Sequence, residues 1–233
     1  DAAHLLQVLA GPDPNDPLCS TAPTSDYLLN HPLDPPPRIG LVRTYFLEEA
    51  DETMHETVDL ATEAFRSAGA KVIDVVLPKR FKHIHNRHRL IMYAEAAAYH
   101  ADRFENQPEK FQPGIRELVQ EGLFLPAVAY ADARQHQITL RHEIRQVFKN
   151  VDVLLTPATP APAPEGLEST GDPAFNSPWT YTGLPTISLP VTLTSENLPT
   201  AIQLIGPAFE ESHLLQAAAW CESQLCFDAV PCL

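Results

Sequence analysis

The sequence predicts an α/β protein, a mixed β-sheet flanked by helices. Three observations carry this. First, Arg38 to Phe46 (RIGLVRTYF) and Lys71 to Leu77 (KVIDVVL) are strand-like runs separated by an amphipathic helix, Asp51 to Ala68. On that helix Met54, Val58, Ala61, Phe65 and Ala68 recur on one face at helical spacing. Such a strand–helix–strand crossover implies parallel pairing and a right-handed connection. Second, residues 79–150 read as mostly helical. Third, Val151 to Thr156, Thr186 to Val191 and Thr200 to Ile205 are further strands, and a helix from about Phe209 to Cys226 closes the chain.

Each element has a local reason. Residues 1–10 form a short helix with Leu5, Leu6 and Leu9 on one side, and Gly11-Pro12 stops it. Pro14, Pro17 and Pro23 hold an irregular segment up to Pro35-Pro36-Pro37. Gly69 suits the position after a helix end, and Pro78 ends the second strand. The helical subregion divides into Arg87 to Glu105, Pro113 to Glu121 and Ala127 to Lys149. The inner face of the last carries Tyr130, Ala133, Gln137, Leu140, Ile144 and Val147, with the Gln137 amide the odd member of an apolar stripe. The strand Val151 to Thr156 runs into Pro157, Pro160, Pro162 and Pro164, which fix the backbone direction. A loop through Asn197 to Pro199 joins the last two strands. Residues 1–226 form one partial domain and 227–233 a tail.

Composition excludes several functions. The formal charge is −14, which disfavours nucleic acid and an anionic membrane surface, because both call for a basic face. The longest apolar stretch, Leu123 to Ala131, is broken by Pro126 and falls short of the roughly 20 residues a bilayer requires. The chain opens DAAH, with no Met, no basic start and no cleavage site, so a processed or trimmed chain in the cytoplasm is expected. Cys19, Cys221, Cys226 and Cys232 fit no common zinc spacing and read as reduced thiols, with a Cys226–Cys232 disulfide the alternative.

Motifs for nucleophiles, cofactors and metals are missing. There is no G-x-S-x-G, S-x-x-K, P-loop, G-x-G-x-x-G or H-E-x-x-H; His142-Glu143 begins the last, but Gln146 stands where its second His belongs. No cofactor and no metal are expected. The run Lys79 to Arg89 (KRFKHIHNRHR) has two readings, an anion or metal site or a solvated lead-in to a helix. His83 and His85 point to opposite sides of a helix and make a poor ligand pair, and the solvated reading is preferred.

The C-terminal third and the first helix are more informative. Asp152 to Pro160 (DVLLTPATP), the Trp179 to Pro190 segment, Leu198 to Gly206 (LPTAIQLIG), the helix from Phe209, and the opening DAAHLLQVLAGPDPNDP stand in order along the chain. Together these resemble the C-terminal half of the amidase-signature hydrolases, from residue 1 to about 226. The resemblance implies amide C–N bond hydrolysis by a Ser–Ser–Lys relay. It places that relay in a Gly/Ser-rich segment upstream of the helix that begins this chain. No such segment is present, and Ser169, Ser177, Ser188 and Ser195 lack a neighbouring Lys or Gly-Gly. No catalytic residue is therefore assigned.

What the resemblance assigns is a wall of a substrate pocket. Asn176, Trp179, Tyr181 and Thr182, on a loop over 175–185, are expected to border one cleft with Pro157 or Thr159, and Gln137 to approach from the long helix. Aromatic surfaces with a few amide and hydroxyl groups are what a small-molecule pocket uses; core packing is the other reading of Trp179 and Tyr181. Some members of the family carry an Arg where Gln137 stands, so an acidic substrate read by that Arg is not expected. The leading expectation is part of an amidase acting on a small-molecule amide and inactive alone. A second is a non-catalytic binding or structural module derived from one, and a third an independent hydrolase with an unfamiliar site. An uncovered strand edge and apolar face make self-association expected.

Overall fold

The computed structural model describes residues 1–28 and 33–230. The seven α-helices among them are α1 (Ala2–Leu9), α2 (Glu52–Ser67), α3 (Ile84–Asn106), α4 (Pro113–Leu123), α5 (Ala127–Ile144), α6 (Ser177–Thr182) and α7 (Glu211–Leu225). The strands are β1 (Arg38–Leu41), β2 (Lys71–Asp74), β3 (Val153–Pro157), β4 (Thr186–Leu193) and β5 (Pro199–Ile205), in the sheet order β2-β1-β3-β5-β4. β1 lies parallel to β2 and β3, whereas β5 is antiparallel to β3 and β4. The sheet is mixed, and the crossover through α2 returns parallel.

Alternation along the strands sorts side chains between two helical layers. Ile39, Leu41, Val153, Leu155, Ile202 and Leu204 face α2 and α7, where Val58, Ala61, Phe65, Leu214 and Trp220 meet them. Asp51 caps α2 by accepting a hydrogen bond from the Met54 N–H at 2.9 Å. On the opposite face Val42, Leu154 and Ile205 pack with Ile84 and Ile91 of α3, Ala133 and Leu140 of α5, and Trp179 and Tyr181 of α6. At full burial each large apolar side chain contributes about 1.5–3 kcal/mol.

Three expectations on the elements are corrected. β1 stops at Leu41 instead of Phe46. The chain turns there, Tyr45 takes φ +73°, and Phe46 swings into the core, where its ring stacks on Trp179 at 5.3 Å. Tertiary packing overrides strand propensity at this point. The long helix ends at Ile144, and a short 3₁₀ turn over Val147–Lys149 precedes β3. The 175–185 loop contains α6, which Gly183 ends at φ +70°, its N–H bonded to the Trp179 carbonyl at 2.8 Å. Cys232, and with it the Cys226–Cys232 bridge, lies outside the described residues.

An ion pair ties the starts of β1 and β3. Arg38 Nη2 lies 2.6 Å from Asp152 Oδ1, and the Arg38 backbone N–H donates to Asp152 Oδ2 at 2.7 Å. Burial pushes the Asp152 carboxyl up, but the Arg38 hydrogen bonds and charge outweigh it and hold the group below its ordinary value. A carboxylate depressed in the folded state stabilises above its unfolded value, about pH 4, and loses this as pH falls through the folded value. Asp152→Asn is therefore expected to lower Tm at pH 7, the deficit closing toward pH 2. Thermal melts across that range check it; a pH-independent deficit would show that charge is not the cause.

Candidate functional site

Two adjoining clefts open where β1 and β3 end. The larger, about 660 Å³, lies between the Ala158–Pro164 run that leaves β3, the Thr170–Asn176 segment, Ser188 of β4, and Pro199, Thr200 and Ala201 of β5. The smaller, about 460 Å³, is lined by Tyr45, Glu49, His85 and Ser177, and shares Pro160, Asp172 and Pro173 with the first. The prolines after β3 turn the chain across the strand ends, so the groove floor is sheet and its wall is loop.

Register puts Thr156 opposite Gln203, and Gln203 opposite Ser188, across β3, β5 and β4. These three side chains share the face that also carries Leu154 and Ile205. Asn176, at the start of α6, is exposed on the groove, and its Oδ1 accepts a hydrogen bond from Gln203 Nε2 at 3.1 Å. Among the described residues, buried polar atoms without a partner include Thr156 Oγ1, Gln203 Oε1 and Trp179 Nε1.

The sequence-derived site residues divide. Asn176 borders the groove with Thr159. Trp179 and Tyr181 do not: each is 1% exposed and part of the core behind the groove. The cause is α6 itself, whose helical turn drives Pro178, Trp179, Tyr181 and Thr182 inward together. Thr182 Oγ1 donates to the Pro178 carbonyl at 2.8 Å, a bond within the helix. Gln137 lies on the same side of the sheet, but its Nε2 donates to the Tyr181 carbonyl at 2.8 Å and its Oε1 accepts from Arg134 at 2.8 Å. The Tyr181 hydroxyl meets His136 Nδ1 at 2.8 Å and the Ala133 carbonyl at 3.1 Å. Burial pushes this phenol up to about 12. Gln137, Tyr181 and His136 thus bolt α6 to α5, and neither of the two adjoining clefts is lined by Gln137, Trp179, Tyr181 or Thr182.

Residues not singled out for the site line it as well. The Tyr45 hydroxyl is within hydrogen-bonding distance of His85 Nε2 and 3.3 Å from the Ala174 carbonyl. Burial, then the Asp172 and Glu49 charges, push Tyr45 up to about 12, so it is a donor at neutral pH. His85 is lowered by burial, which outweighs Asp172, and is neutral; its tautomer sets whether Nε2 donates to the hydroxyl or accepts from it. Within the basic run only His85 reaches the smaller cleft. Among the described residues no group of three or more His, Cys, Asp or Glu could hold a metal ion, and no helix is long and apolar enough to cross a membrane. Two of the groove serines are engaged elsewhere: Ser177 Oγ donates to the Pro173 carbonyl at 3.0 Å and Ser188 Oγ to that of Ile202 at 3.3 Å.

This architecture, a mixed sheet with helices on both faces and a groove at the strand ends, defines an α/β class of chain. The family model for Amidase matches residues 1–215, and the chain belongs to the amidase family. It is 32% identical to a Glutamyl-tRNA(Gln) amidotransferase subunit of Prochlorococcus marinus (strain MIT 9313) over 94% of its own length and 51% of that relative. The chain thus spans about half the length of the curated relatives it matches. Among solved structures, it matches a chain from an inhibitor-bound vestigial complex tied to the origins of an s-triazine catabolic enzyme. The TM-score is 0.77 at 26% identity, covering 95% of this chain and 50% of that one. The peptide amidase PAM, in complex with chymostatin, matches at TM-score 0.74 and 26% identity, covering 96% and 51%. The sequence-derived family and fold class agree with these findings.

Proposed function

We propose that residues 1–226 act as one unit that supplies part of the substrate-pocket wall of an amide-hydrolysing enzyme, without the nucleophile or its base. The carrying observation is the groove of about 660 Å³ at the strand ends, with the Asn176 amide exposed on it. Asn176 contacts the substrate, a small-molecule amide. Gln137, Trp179, Tyr181 and Thr182 serve the pocket from behind by fixing α6. The hydroxyls of Ser177 and Ser188, spent on backbone carbonyls, support the assignment of no catalytic residue here. A serine-directed fluorophosphonate is expected to leave this chain unlabelled, and the chain alone to leave simple amides intact. Stoichiometric labelling of any serine, read by intact mass, would overturn the reading.

The same reading includes self-association. Among the described residues no strand pairs with the outer edge of β4, and Leu5, Val8 and Leu9 of α1 are exposed. Open edges and apolar patches of this kind drive association. Light scattering is expected to show mass rising with concentration; a monodisperse monomer throughout would contradict it. A reducing compartment, the cytoplasm, also belongs to this reading, supported by the free thiols of Cys19 and the buried Cys221.

A further inference from the structure

We propose that the groove is a carbonyl-reading site, in which Gln203 turns the Asn176 amide so that its NH₂ group faces the ligand. This rests on the reading of the groove as a substrate wall and adds the chemical class that the wall selects: a hydrogen-bond acceptor, the carbonyl oxygen of a small neutral molecule.

Gln203 is 3% exposed and sits at the centre of the polar row Thr156–Gln203–Ser188 on the groove side of the sheet. Its Nε2 donates to Asn176 Oδ1 at 3.1 Å. That bond engages one of the two lone pairs of Asn176 Oδ1, turns this oxygen toward the buried Gln203 and leaves the NH₂ with two donors. Among the described residues those donors have no partner, and Asn176 is exposed on the groove. A carboxamide free to rotate would offer a ligand either its oxygen or its nitrogen; one whose oxygen is turned to a buried partner presents its N–H to the groove. Gln203 Oε1 and Thr156 Oγ1, both buried, have no partner. Unpaired polarity at this depth is costly, and packing would be better served by apolar side chains. A buried polar row that reaches the groove at Ser188 and is bonded to an exposed amide on it fits a binding role better than a core role. Gln203 is thus a positioning residue and Asn176 the contact.

The test is titration of the full chain, followed through side-chain amide NMR resonances, with two neutral probes. N,N-dimethylacetamide only accepts hydrogen bonds, and pyrrole only donates. Dimethylacetamide is expected to shift the Asn176 NH₂ resonance saturably and to bind roughly five-fold or more tightly than pyrrole, the scale of one hydrogen bond. Gln203→Leu, which removes a buried unpartnered atom and keeps the volume, is expected to erase that preference with Tm held. Asn176→Asp, at an exposed position that leaves the fold intact, is expected to reverse it. Equal binding of the two probes, or an undiminished preference in Gln203→Leu, overturns the proposal while leaving the groove a binding wall. Should Gln203→Leu fail to fold, an unchanged preference in Asn176→Asp overturns it. Binding of neither probe overturns both this proposal and the wall.

Discussion

Trp179→Ala is expected to cost about 3–5 kcal/mol of stability, the range for deleting a buried aromatic, less about 1 kcal/mol for relieving an unpaired N–H. The ring is 1% exposed and stacks on Phe46 at an interplanar angle of 6°. Phe81 lies 5.9 Å away and tilted. The Phe46 and Phe81 rings border the space that Trp179 would vacate. Nε1 has no hydrogen-bond partner, so Trp179→Phe, which keeps much of the stack, is expected to cost much less. Urea unfolding checks both. The sequence alone suggests that this residue governs substrate preference more than stability; the buried position reverses the order. An unchanged midpoint for Trp179→Ala with altered ligand binding would restore the pocket role.

Gly122→Ala is expected to destabilise by about 1–3 kcal/mol or more, the range for overpacking, although alanine is the better helix former by about 1 kcal/mol. A Cβ at position 122 of α4 would stand 2.1 Å from the Tyr93 carbonyl oxygen and 2.6 Å from the Ala97 Cβ, both on α3. The first of these is backbone and cannot rotate away. The steric cost therefore outweighs the propensity gain, and α3 and α4 must separate. Thermal melting checks it. A raised Tm would show that the two helices are less tightly joined than their geometry implies.

Most of the sheet was legible in the sequence because Pro35-Pro36-Pro37, Pro78 and Pro157 bound its strands and α2 shows its apolar face. Ser188 and Gln203, by contrast, sit in strands whose apolar partners dominate the pattern, and only register brings them together with Thr156 and Asn176. Period alone could not reveal α6: six residues give too few turns for a face, and Pro178 within them reads as a breaker. That short helix is what moved Trp179 and Tyr181 from an expected wall into the core. Tyr45 was hidden for a related reason. RIGLVRTYF reads as one strand until Phe46 finds Trp179, a contact across more than half the chain. His85 lay within a basic run whose other residues give no sign of the cleft. Its meeting with Tyr45 belongs to the fold rather than to the local sequence.

Photocrosslinking shows directly whether the groove at the ends of β1 and β3 is an amide-binding wall. A small amide carrying a diazirine is added to the intact chain, irradiated, and its attachment points mapped by mass spectrometry. A binding wall gives saturable labelling within Ala158–Pro164 and Thr170–Asn176, displaced by excess unmodified amide. Labelling concentrated instead at the cleft lined by Pro190, Leu193 and Phe227, or no displaceable labelling, would rule the wall out.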